Sequence, residues 1–70
     1  MKNNIETLRK AMKITQVELA KQLKVSRQTI SSLENGRYNP SIELAFKLSH
    51  IFKCPIENIF IYEEDTHETI

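Results

Sequence analysis

Arg27, Gln28, Ser31, Ser32 and Asn35 form the densest group of uncharged or cationic hydrogen-bonding side chains in the sequence, and they fall inside one short segment. Arginine can clasp guanine O6 and N7 with two parallel N–H groups, and glutamine can do the same to adenine N6 and N7. Short serines let a helix sit deep in a groove. If the segment is helical, Ile30 and Leu33 lie within about 60° of each other and face inward, with Ser26 close to that side. Gln28, Ser31, Ser32 and Asn35 then face outward, and Arg27 flanks them at the N-terminal end. An exposed helix that only had to stay in solution would carry Glu and Lys pairs instead. The alternative, an ordinary exposed polar face, uses the same residue types without a ligand. The helix N-terminus adds unpaired N–H groups and the positive end of its dipole, both suited to phosphate, and Ser26 at that end counts as a backbone contact.

Other chemistry is poorly supplied. Cys54 stands alone, so no internal disulfide forms, and neither His50 nor His67 has a partner at metal-ligand or catalytic spacing. Cys54 reads as a small buried or half-buried residue before Pro55, and the two histidines as surface residues. No nucleophile, base and orienting group can be assembled, so the sequence is not that of an enzyme, and it calls for no cofactor and no metal.

The 70 residues bound the rest: one domain, without room for a second core or a deep catalytic cleft. Apolar runs are only a few residues long, and Met1-Lys2-Asn3-Asn4 leads into no signal-type stretch, so a cytoplasmic protein away from membranes is expected. Charge is split along the chain. Residues 1–55 hold all ten Lys and Arg against four acids, a balance of +6, whereas residues 56–70 hold five acids and no Lys or Arg. A basic body with an acidic tail suits a polyanionic partner, although a solvated surface with a charged tail would look the same on charge alone.

The elements that must position the outward face follow from caps and periodicity. Ile5, Leu8 and Met12 mark a first helix from about Asn4 to Lys13. Thr15-Gln16-Val17-Glu18 has the form of a capping box, so a second helix starts there with Leu19, Ala20 and Leu23 inside. Ser26 caps a third helix, Arg27 to about Asn35, which stops at Gly36, the only glycine. Two helices separated by about three residues have helix-turn-helix spacing. Ser41, after Pro40, caps a fourth helix carrying Ile42, Ala45, Leu48, Ile51 and Phe52, and Pro55 ends it. Residues 56–59 make a short fifth helix, and Phe60-Ile61-Tyr62 reads as a strand. That strand either closes the core under the fifth helix or pairs across a two-fold axis. Val17 faces outward, where it touches a sugar or has no functional role.

Glu34 falls about 40° from Ile30 on the inner flank of the third helix. A half-buried carboxylate needs a partner, and Arg9, one position after core-facing Leu8, is the natural one. An Arg9–Glu34 ion pair would fix the third helix against the first.

Taken together, Thr15-Gln16-Val17-Glu18-Leu19-Ala20, Val25-Ser26-Arg27-Gln28-Thr29-Ile30, Leu33-Glu34-Asn35-Gly36 and Asn39-Pro40-Ser41 resemble the Cro/C1-type helix-turn-helix family of phage repressors and xenobiotic-response-element regulators. The resemblance covers about residues 3–60. The Ile59-Phe60-Ile61-Tyr62 ending is similar to short Gram-positive repressors of the cytolysin-repressor type. It implies an all-α, five-helix DNA-binding domain with a short C-terminal strand used in dimerisation. On this reading residues 1–62 form the DNA-binding domain, with a dimerisation segment at about 54–62, and residues 63–70 form an acidic tail. Carried over position by position, Gln16 binds backbone phosphate, and Arg27, Gln28 and Ser32 read bases. Thr29, Asn35, Arg37 and Asn39 touch backbone or flanking groove edges. Phe60, Ile61 and Tyr62 form the dimer interface, and the resemblance also favours the Arg9–Glu34 pair. The partner is double-stranded DNA, bound at a palindromic operator by a homodimer acting as a repressor. An antitoxin or other protein-partner module on the same fold is the alternative. Two positions depart from the family pattern: Lys24 stands where most members have glycine, and Ser32 where some carry a longer hydrogen-bonder, which leaves its base contact weak, water-mediated or absent.

Overall fold

Side-chain caps set most of the helix boundaries in the structure, a computed structural model that describes residues 1–62. A two-residue strand, β1 (Lys2–Asn3), leads into α1 (Ile5–Ala11). In front of α2 (Gln16–Leu23), the Thr15 hydroxyl accepts from the Glu18 N–H at 3.1 Å while the Thr15 N–H donates to the Glu18 carboxylate at 2.7 Å, closing the capping box in both directions. Ser26 caps α3 (Arg27–Glu34) by accepting from Thr29 N, and Ser41 caps α4 (Ile42–Phe52) by accepting from Leu44 N, each at 3.1 Å. Each cap satisfies a backbone donor that the first turn of a helix leaves open. α5 (Ile56–Ile59) follows Pro55, and β2 (Phe60–Ile61) is the last element described. The acidic stretch expected at 63–70 lies outside the described residues, as does His67.

Left-handed residues make the turns. Lys24, between α2 and α3, sits at φ 59°, ψ 43°, the conformation expected where relatives use glycine. Lys13 and Lys53 adopt the same region after α1 and α4. Gly36 at φ 76° closes α3, and a Cβ there would also stand in tight contact, 3.0 Å, with the carbonyl oxygen of Met1.

Ile5, Leu19, Leu23, Ile30, Leu33, Leu48 and Ile59 are fully buried, drawing all five helices onto one core. Two apolar residues expected inside are not. Met12 is exposed because α1 stops at Ala11 and the chain turns at Lys13, which brings Ile14 against the core in its place. Ile42 is 73% exposed, and the inner face of α4 is carried by Leu44, Ala45 and Leu48. Apolar spacing in the sequence fits either face at a helix end, and here packing chose the other one. Cys54 is half-buried, with its carbonyl accepting from the Ser49 hydroxyl at 2.6 Å.

The sheet differs from expectation in its partner. β2 pairs antiparallel with β1 of the same chain, Lys2 opposite Ile61 and Asn3 opposite Phe60. The N-terminal residues are thereby tied to the C-terminal ones. Asn4 N–H donates to the Ile59 carbonyl at 2.7 Å, and the Asn4 side-chain amide donates to the Asn58 carbonyl at 3.1 Å.

Candidate nucleic-acid interface

Three supports hold α3. Fully buried Ile30 and Leu33 fix its inner face, Ser26 closes its first turn, and Glu34 anchors its last turn to α1. Arg9 Nε donates to Glu34 Oε2 at 2.7 Å and a second guanidinium N–H reaches Oε1 at 3.4 Å, while Nη1 donates to the Ile14 carbonyl at 2.9 Å. Both side chains are at least nine-tenths buried. A pair withdrawn from water to this degree persists only when its polar atoms are hydrogen-bonded, and each of the three guanidinium nitrogens has a partner here. The hydrogen bond to Glu34 is the main cause raising the Arg9 pKa above its ordinary value, against the opposing effect of burial.

Gln16 joins the same carboxylate. Its Nε2 donates to Glu34 Oε1 at 3.0 Å, so the side chain expected at phosphate is held at the start of α2 by a residue of α3. Among the described residues, the other amide N–H and the amide oxygen of Gln16 have no side-chain partner.

The outer side of α3 carries Arg27 and Gln28 exposed, with Ser31 and Ser32 half-buried. Ser26, Gln28, Thr29 and Ser32 line one shallow concavity of about 280 Å³ together with Tyr38. Thr29 and Ser26 hydroxyls lie 3.0 Å apart and hydrogen-bond each other, so both belong to the cap as well as to the hollow. Arg37 and Asn39 are exposed on the loop that follows. Asn35 lies elsewhere: it lines a second hollow with Met1, Lys2, Asn3, Glu34, Gly36 and Ile61, at the end of α3 nearest the sheet. Phe60 is half-buried, whereas Ile61 and Tyr62 are 40% and 74% exposed.

Sequence reasoning missed two residues of this surface. Tyr38, 43% exposed beside Gln28 and Ser32, offers an aromatic edge and a hydroxyl to the hollow; an aromatic placed in the loop directly after Arg37 was the available signal. Asn3 was overlooked because nothing in a four-residue polar lead announces a strand. No cluster of His, Cys, Asp or Glu suited to a metal occurs among the described residues, and none of their helices is long and apolar enough to cross a membrane.

A capped helix pair joined by a left-handed turn, with the second helix pinned inside and polar outside, defines a helix-turn-helix domain. The helix-turn-helix family model matches residues 5–59, and the chain belongs to this family in its Cro/C1-type form. It is 52% identical over 65 residues to an uncharacterized HTH-type transcriptional regulator of Methanocaldococcus jannaschii, covering 93% of this chain and 98% of that protein. Another such regulator, from Bacillus subtilis, is 37% identical over 65 residues, again covering 93% and 98%. The immunity repressor protein of Bacillus phage phi105 is 45% identical over 38 residues, 54% of this chain and 26% of that protein. The chain is a transcriptional regulator with a helix-turn-helix DNA-binding domain, and this is a non-enzymatic class.

Proposed function

We propose that the chain is a cytoplasmic repressor that binds a palindromic operator as a homodimer, inserting α3 of each protomer into the major groove of half-sites about 34 Å apart. The observation that carries this reading is the outer face of α3: Arg27, Gln28, Ser31 and Ser32 stand on a helix whose inner face is locked by Ile30, Leu33 and the buried Arg9–Glu34 pair. Arg27, Gln28, Ser32 and Ser31 read base edges. Gln16, Ser26, Thr29, Asn35, Arg37 and Asn39 hold phosphates and sugars on either side of the groove. Position is set by the second group and sequence by the first.

The homodimer is assigned to Phe60, Ile61 and Tyr62, and what supports it is the apolar surface that Ile61 and Tyr62 expose beside half-buried Phe60. Repression draws support from the phage relative, whose printed name is that of an immunity repressor. A protein-partner module would call for an apolar or acidic outer face on α3, and the residues there are neutral hydrogen-bonders and one arginine.

Selection of bound sequences from a random duplex pool tests the reading. The expected result is a palindrome with half-sites one helical turn apart, bound far more tightly than random DNA at two salt concentrations. Recovery of no preferred sequence would reject operator binding and bring the protein-partner module forward. A preferred sequence without two-fold symmetry, bound by a monomer in sedimentation, would reject the homodimer alone.

A further inference from the structure

We propose that Asn3 is a positioning residue for the DNA-reading helix, tying the C-terminal end of α3 to the β1–β2 sheet; this rests on the assignment of α3 as that helix.

Three elements meet at this one residue. Its Nδ2 donates to the Leu33 carbonyl at 2.7 Å, in the last turn of α3. Its Oδ1 accepts from the Ile5 N–H at 3.0 Å, opening α1. Its backbone stands opposite Phe60 in the sheet. The side chain is half-buried, and both of its polar ends are used within the protein. The last turn of α3 holds no basic residue, so the Asn3 amide donates to a carbonyl end that no cationic side chain of the helix serves. Leu33 O also accepts from Gly36 N at 3.0 Å, so Asn3 grips the carbonyl about which the chain leaves the helix. Glu34 and Asn35 follow directly.

The role follows from the geometric demands of base reading. Bidentate contacts tolerate displacements of only about 0.5 Å and 10–20°, so a reading helix has to be held at both ends. Ser26 holds the first turn of α3, and Asn3 holds the last together with the Arg9–Glu34 pair. Asparagine alone suits the position: aspartate keeps the acceptor for Ile5 N but loses the donor, and glutamine is one methylene too long to serve both partners unchanged. β1 is thus a strut, and a displacement of β2 is passed through Asn3 to the helix that reads DNA.

The test uses the full chain with Asn3→Asp, which keeps the acceptor but turns the donor into a charged acceptor facing Leu33 O, and Asn3→Ala, which removes both groups without adding charge. The readout is the ratio of affinities for the selected operator and for a random duplex, in which any uniform charge effect cancels. It is taken at a temperature where circular dichroism shows each variant folded, alongside amide hydrogen exchange at Gly36 and Arg37, whose acceptors are the carbonyls of Leu33 and Ser32. The expected result is a ratio lowered about tenfold in both variants, with faster exchange at those two amides. A ratio within about twofold of the unsubstituted chain overturns the positioning role, whether exchange is faster or unchanged. An unsubstituted chain that does not prefer any operator overturns the assignment of α3 itself, a different failure from the first.

Discussion

Gln16 and Glu34 are joined by a 3.0 Å hydrogen bond from the glutamine amide to Oε1, and the same carboxylate holds Arg9 through Oε2 at 2.7 Å. One buried acid therefore links α1, the start of α2 and the end of α3. The link gives the helix pair a fixed geometry, and it also orders a side chain proposed to meet phosphate before any DNA arrives. Pre-ordering removes part of the entropy that binding would otherwise cost.

Truncating one member of this cluster leaves the others buried and short of partners. Arg9→Ala is expected to lower the free energy of unfolding by about 3–5 kcal/mol, the usual result of stranding one buried charge. Replacing both, Arg9→Met with Glu34→Leu, removes the stranded charge and costs less than the sum of Arg9→Met alone and Glu34→Leu alone. Urea unfolding of the four proteins in a double-mutant cycle measures this, and strict additivity would show that the two side chains do not depend on each other. The pKa of Arg9 is raised, so its contribution is complete below the unfolded value and lost only as pH rises through the folded one. Titration of Arg9 consequently gives stability no pH dependence between about pH 6 and 10.

Base reading and phosphate binding separate in a second experiment. Arg27→Ala is expected to weaken the selected operator by about 1–3 kcal/mol and to relax preference at one base pair, leaving the other positions unchanged. Gln16→Ala instead weakens operator and random DNA by a similar factor, since a phosphate contact carries no sequence information. Fluorescence anisotropy against a panel of single-base operator variants distinguishes the two. Uniform losses for both variants would remove Arg27 from the base-reading set.

The parts of this structure that are legible in the sequence are those fixed by short-range geometry. Thr15 with Glu18, Ser26 and Ser41 each mark a helix start to the residue, because a cap and the donor it satisfies are three residues apart. Helical rotation alone brings Arg9 and Glu34 to facing flanks. What escapes is decided at longer range. β1 is two residues long, too short for an alternating pattern, and its register depends on Asn3 and Asn4 reaching carbonyls of Leu33, Asn58 and Ile59. Met12 and Ile42 sit at helix ends, where a single turn of chain decides which apolar residue goes inside. Tyr38 joins the hollow on α3 only because the loop after Gly36 folds back beside Gln28 and Ser32.

Left-handed lysines offer a third prediction. A non-glycine residue in this region costs on the order of 1 kcal/mol, and Lys13, Lys24 and Lys53 all occupy it. Glycine relieves that cost but loosens the unfolded chain by about 0.4–1 kcal/mol, so Lys13→Gly and Lys53→Gly are expected to raise stability by a few tenths of a kcal/mol at most. Lys24→Gly should behave alike in thermal unfolding. It differs in DNA binding: Lys24 is exposed in the turn between α2 and α3, and losing it is expected to lower the slope of log affinity against log salt by about 1. An unchanged slope would place Lys24 away from the phosphates.

Gly36 separates strain from crowding. Its φ of 76° disfavours any Cβ, and that Cβ would also come within 3.0 Å of the Met1 carbonyl oxygen, a backbone atom of the segment leading into β1. Gly36→Ala meets both obstacles and is expected to destabilise by about 1–3 kcal/mol. Gly36→Asn is the informative comparison, because asparagine tolerates left-handed backbone far better than alanine while carrying the same Cβ. If the approach of β1 to the end of α3 matters, Gly36→Asn remains clearly destabilised in urea unfolding and its β1 amides exchange faster, since β1 has to move aside. Recovery of full stability by Gly36→Asn would mean that φ alone selects glycine here, and that the strut beneath the reading helix can shift at no cost.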